Sequence, residues 1–147
     1  MAAMATSVQI VFDCADPDTL ARFWAEALHY KIQDPPAGFD SWEAFLKAQG
    51  IPETDWNSAS AVVDPDGVGP RIYFQRVPEA KSVKNRVHLD LNVGGPRSAP
   101  HEERRRRIDQ EVDRLVQLGA RKSRGLDERG EYFVKMFDPE GNEFDVQ

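Results

Sequence analysis

The sequence holds a single cysteine, Cys14, in 147 residues. One thiol excludes an intramolecular disulfide and any zinc site built from several thiolates, and it fits a reducing compartment. There is no basic excess: 19 Lys and Arg stand against 25 Asp and Glu, a net charge of −6. That balance argues against a nucleic-acid binder, which needs a positive footprint. No apolar run approaches the ~20 residues needed to span a bilayer. The opening "MAAMATSVQIVF" has no basic start and no long apolar core, so neither a membrane span nor a secretory leader is expected, and the expected location is cytoplasmic. A strained nucleophile elbow and a phosphate-cradling glycine loop are also missing. What remains, 40% hydrophobic and 30% charged residues, suits a soluble globular chain. Its length fits one domain, or two small halves sharing a core.

A phrase occurs twice. "DPDG" begins at Asp64 and "DPEG" at Asp138, each followed by a strand-like run. The elements between repeat as well. "VQIVF" reads as a strand, and Asp16 then caps a helix that starts at Pro17. Leu20, Phe23, Trp24, Ala27 and Leu28 form its apolar face. "YKIQD" is the candidate second strand, "SWEAFLKAQGI" a short helix capped by Ser41 and closed by Gly50, and "WNSASAVVD" and "RIYFQRV" two strands about the first turn. "RVHLDLNV" alternates, with Val87, Leu89, Leu91 and Val93 on one side and Arg86, His88, Asp90 and Asn92 on the other. A second helix follows, with Ile108, Val112, Leu115 and Val116 as its buried stripe and Gly119 as its stop. "RKSR" is a weak strand, "EYFVKMFD" a better one and "NEFDV" a closing one. The fold class is therefore α+β, two βαβββ modules at about 1–79 and 84–147.

These modules, with "LARFWAEAL", "KNRVHLDL", "RLVQLGA" and the two turns in this order, resemble the vicinal oxygen chelate superfamily. That is the glyoxalase, bleomycin-resistance and ring-cleaving dioxygenase group, and the chain looks most like its actinobacterial glyoxalase-like branch. The resemblance runs from about Val8 to Val146. It implies a single glyoxalase-like domain: an incomplete eight-stranded barrel with a small-molecule cavity between the modules. Four inward positions would carry ligands, at the start of each module's first strand and the end of its last. A divalent metal held there chelates adjacent oxygens of a substrate. A homodimer is also expected from the resemblance.

Carried onto this sequence, the pattern puts His88 at the first-strand position of the second module and Asp145 at its last-strand position, with Glu143 two residues back. In the first module it puts Gln9 opposite His88, and Gln75 on the last strand, where Arg71 and Tyr73 share its parity. Imidazole and carboxylate suit a divalent ion, whereas glutamine is a weak ligand. The set His88 and Asp145 thus points to metal ligation or acid–base catalysis, with Gln9 and Gln75 positioning substrate. Asp90 reads more simply as a partner of a backbone amide or of Arg86. Trp42 and Trp56 flank the first-module insertion and suit the wall of a planar ligand, against the alternative of local packing. "RRRR", Arg104 to Arg107, is flanked by acids on a helix and reads as a solvated, salt-bridged face. Two functions follow: a metal-assisted lyase, isomerase or dioxygenase, or a metal-free small-molecule or drug-binding protein of the resistance type. A cavity filled by side chains would instead mark an interaction module.

Overall fold

A computed structural model describes residues 2–147. The chain forms two compact units, Met1–Ala80 and Lys81–Gln147, each holding one open four-stranded sheet.

In the first unit, β1 (Ile10–Cys14) leads into α1 (Pro17–Leu28). The Asp16 carboxylate accepts from the Thr19 backbone N–H, and Pro17 at the first helical position has no N–H to leave unsatisfied. Asn57 reinforces this start. Its Nδ2 donates to Asp16, and its Oδ1 accepts from the Asp18 N–H, both at 2.8 Å. These bonds, with Asn57 the largest contributor and Thr19 next, hold the Asp16 carboxyl below its ordinary pKa against a smaller opposing effect of burial. Then come β2 (Lys31–Ile32), α2 (Trp42–Ala48), a 3-10 segment (Glu53–Ser58), β3 (Ala59–Val63) and β4 (Ile72–Arg76). Ser41 caps α2 through the Ala44 N–H. The strand order is β1-β4-β3-β2, with β1 parallel to β4 and the other pairs antiparallel. Leu20, Phe23, Trp24 and Ala27 are buried, as are Val62, Ile72 and Phe74. Phe12 stacks on Trp24 at 5.5 Å. The alternation of β4 leaves Tyr73 and Gln75 on the opposite, open face.

The second unit repeats the plan: β5 (Leu89–Leu91), α3 (His101–Gln117), β6 (Arg121–Glu128), β7 (Glu131–Phe137) and β8 (Glu143–Val146), in the order β5-β8-β7-β6. Ile108, Val112 and Leu115 of α3 are buried with Tyr132, Val134, Met136, Phe144 and Val146. Glu143 and Asp145 alternate with Phe144 and Val146, so they face away from that core.

Four expectations change. Val116 is 41% exposed and not part of the buried stripe, which Ile108, Val112 and Leu115 form over about two turns. The "RVHLDLNV" strand shrinks to Leu89–Leu91, and Val87 is 81% exposed. The chain before it is tied elsewhere: Lys81 and the Asn85 N–H hold the Glu143 carboxylate, so residues 86–87 do not join the ladder. "YKIQD" keeps only Lys31–Ile32 as strand. "RKSR" instead opens the eight-residue strand Arg121–Glu128, with a register shift between Lys122 and Arg124.

Two of the four arginines in the run are ion-paired, and the other two bond to neutral oxygens. Arg104 bonds to the Gly95 carbonyl. Arg105 lies over the Tyr132 ring and pairs with Asp109. Arg106 donates to Gln110, and Arg107 pairs with Glu103 at 2.6 Å.

The two turns share one mechanism. Asp64 accepts from the N–H groups of Asp66, Val68 and Gly69. Asp138 accepts from the N–H groups of Glu140 and Asn142, and from Asn142 Nδ2. Gly67 (φ +70°) and Gly141 (φ +83°) supply the left-handed residue each turn requires.

Candidate functional site

His88 sits immediately before β5, and Asp90 is its central residue. The parallel register sets Asp90 directly opposite Asp145 of β8. His88 Nε2 lies 3.3 Å from Asp90 Oδ1 and 3.5 Å from Asp145 Oδ2. One ligand atom from each of the three residues falls within 4.8 Å of the other two. The strand period explains the grouping: His88 and Asp90 are two apart, and the ladder adds Asp145.

Burial is the main force on Asp145 and raises its pKa above the ordinary carboxyl value. Asp90 adds to the rise, while His88, Lys135 and Lys84 oppose it. Lys135 is its cross-strand partner on β7. Glu143 behaves differently. Burial alone would raise it, but the Asn85 amide, its own backbone N–H and Lys81 together bring it below the ordinary value. Its oxygens are thus already committed, and of the two acids on β8 it is Asp145 that meets His88.

The residues present fit a divalent cation. One imidazole nitrogen and two carboxylates form a mixed hard and borderline donor set. Their 3.3 and 3.5 Å spacings approach the edge of about 3 Å expected for an octahedron with ~2.1 Å bonds. Without a cation, a protonated His88 would lie within ion-pair distance of both carboxylates. Asp90 is the member that sequence reasoning underrated. Its shared parity with His88 was the available signal, and its pairing with Asp145 needed the register.

The other candidate residues lie in the first unit. In the alignment that sets Gln9 against His88, Val11 corresponds to Asp90. The register pairs Val11 with Tyr73 and Asp13 with Gln75. Tyr73 is therefore the positional counterpart of Asp145. Gln75 lies two residues further on, where its Nε2 donates to Asp13 at 3.1 Å. Gln9 Oε1 accepts from Arg71 Nη1 at 2.8 Å. The Trp42 indole N–H donates to the Gln33 carbonyl at 2.6 Å, and that of Trp56 to the Ile51 carbonyl at 2.9 Å. Both indoles are anchored to local backbone, and Trp42 also meets Phe45 edge-on.

Two units of one βαβββ topology, with a His/Asp group on the second unit's open face, define a protein of the glyoxalase, bleomycin-resistance and dioxygenase class. The family model of the glyoxalase-like domain matches residues 9–147, and the chain belongs to that family. Comparison with the curated proteins found no match. Among solved structures, a hypothetical protein from S. aureus is 18% identical, with a TM-score of 0.58, covering 98% of this chain and 97% of that one. A glyoxalase/bleomycin resistance protein/dioxygenase family enzyme from Burkholderia phytofirmans is 12% identical, with a TM-score of 0.59 and 94% coverage of both chains. A mutant of the fosfomycin resistance protein FosX from Listeria monocytogenes, complexed with Mn(II) and 1S,2S-dihydroxypropylphosphonic acid, is 12% identical, with a TM-score of 0.60, covering 99% of this chain and 90% of that one. At these identities the likeness is one of fold. No helix among the described residues is long and apolar enough to cross a membrane.

Proposed function

We propose that this protein binds a small organic molecule and acts on it as a metal-assisted lyase, isomerase or dioxygenase-type enzyme. His88, Asp90 and Asp145 would hold a divalent ion. The observation that carries this reading is the convergence of three ligand atoms within 4.8 Å of one another. The Mn(II) in the FosX complex gives the precedent for a metal in this fold. A bound divalent ion would supply Lewis-acid polarisation of a substrate oxygen. Free of an ion, His88 and Asp145 would instead serve in proton transfer, and Gln9 and Gln75 are the substrate-positioning residues proposed for the first unit. Trp42 and Trp56 would contribute aromatic surface. We further expect a single functional domain, a homodimer and a cytoplasmic location.

The test is metal analysis of the purified chain, followed by calorimetric titration with Mn²⁺. Stoichiometric binding that His88→Ala abolishes is the expected result. Absence of any divalent binding, with turnover indifferent to His88→Ala, removes the proposal.

A metal-free binding role is the second reading. It is favoured by the first unit, where Gln9, Val11 and Tyr73 stand at the positions of His88, Asp90 and Asp145 and offer no strong metal donor. Organic ligands that raise the melting temperature in the presence of a chelator would support it.

A further inference from the structure

We infer that the open face of the first unit's sheet carries an oxyanion-binding site centred on Arg71. It would take the carboxylate or phosphate group of a small organic molecule.

Arg71 immediately precedes β4, and its side chain is half-buried. Its Nη1 donates to Gln9 Oε1 at 2.8 Å, and its Nε donates to Gln33 Oε1 at 2.7 Å. Its guanidinium carbon lies 5.4 Å from the centre of the Tyr73 ring. Six other arginines, Arg22, Arg76, Arg97, Arg105, Arg107 and Arg114, meet carboxylates, whereas Arg104 and Arg106, like Arg71, bond to neutral oxygens. Among the described residues, no carboxylate forms an ion pair with Arg71. It is held by two neutral amides, so its charge is positioned and not neutralised.

The two glutamines strengthen the case. A guanidinium only donates, so each glutamine must turn its oxygen toward Arg71. One lone pair of each glutamine oxygen is thereby taken, and the remaining guanidinium N–H groups of Arg71 have no acceptor among the described residues. Donors left over on a guanidinium satisfy an oxyanion and leave a cationic group unpaired. The arrangement is also fixed from behind: the Trp42 indole N–H holds the Gln33 carbonyl at 2.6 Å. A freely solvated arginine needs none of these supports. Because the protein's net charge of −6 repels anions at long range, attraction here must be local.

The inference does not depend on a metal at His88, and its test is run with a chelator so that the two fail separately. The full chain, isotope-labelled, is titrated at constant ionic strength with inorganic phosphate and, in a second arm, with benzoate. Side-chain N–H signals of Arg71, Gln9 and Gln33 are followed. The expected result is a saturable shift with at least one probe, weakened about tenfold or more in Arg71→Gln, as loss of a charge-assisted pair implies. The tighter probe assigns the class. Gln9→Glu keeps the bond to the guanidinium, so the fold is retained, but it fills the site with an internal carboxylate and should also abolish the response. The inference is overturned if neither probe saturates beyond what chloride produces, or if Arg71→Gln or Gln9→Glu binds as the parent does.

Discussion

Asp90 and Asp145 face each other across the parallel β5–β8 pair, and His88 Nε2 lies within 3.5 Å of an oxygen of each. Two carboxylates on one imidazole repel one another unless a proton or a cation sits between them. If a cation does so, Asp90 is as necessary as Asp145. Asp90→Asn and Asp145→Asn are each expected to weaken Mn²⁺ binding by at least the ~10–100-fold typical of losing an outer-shell partner. Glu143→Gln, whose carboxylate is held by Lys81 and Asn85, should leave metal affinity nearly unchanged. Calorimetric titration of the three variants reads the order directly.

Asn57 joins the start of α1 to the segment before β3 by two bonds of 2.8 Å. Asn57→Ala should destabilise the chain by about 1–2 kcal/mol, as losing a helix cap does. The pH profile should change as well. Asp16 has a depressed pKa in the folded chain, with Asn57 the largest cause. Its contribution is therefore present above the ordinary value of 3.8 and lost as pH falls through the lowered one. Urea unfolding across the acid range should show a shallower loss in Asn57→Ala than in the parent.

Tyr132 Oη donates to Asp109 Oδ1 at 2.6 Å. Burial first, and Asp109 second, push the phenol up to about 12. The folded chain therefore holds this proton more firmly than the unfolded one. The associated stability is complete below pH 10.0 and disappears as pH rises to about 12. Tyr132→Phe should cost ~1 kcal/mol at neutral pH and lose the part of the alkaline decline due to this group, measurable by thermal unfolding.

Gly141 has φ +83° and open space where a Cβ would stand. Gly141→Ala should therefore cost about 1–2 kcal/mol through backbone strain alone. Asp138→Ala removes a side chain only 3% exposed that accepts from two backbone N–H groups. It should cost more, because those donors lose their partner. Chemical denaturation of both variants gives the comparison.

The sequence was most legible where periodicity and punctuation agreed. Asp16 and Pro17 announced α1, and the paired Asp-Pro turns announced the duplicated frame. His88 and Asp145 could be brought together from sequence through the resemblance. Three things needed coordinates. Val87 continued the alternation of its strand, but the pull of Glu143 on Lys81 and Asn85 takes residues 86–87 off the ladder. Asp90 shared parity with His88, but only strand register could set it against Asp145. Arg71 looked like one of three residues of equal parity on a strand. Its distinction, two glutamine oxygens from distant segments, has no local signature.

The registers Val11–Tyr73 and Asp90–Asp145 occupy equivalent places in the two units. In each, the side chains that make the core alternate with those that make the face. A face can therefore be rewritten without disturbing the packing beneath it. One copy of the frame presents the Arg71 guanidinium, steadied by two glutamine oxygens. The other presents acceptors, through Asp90 and Asp145. A duplicated scaffold of this kind can diverge chemically while folding by the same rules.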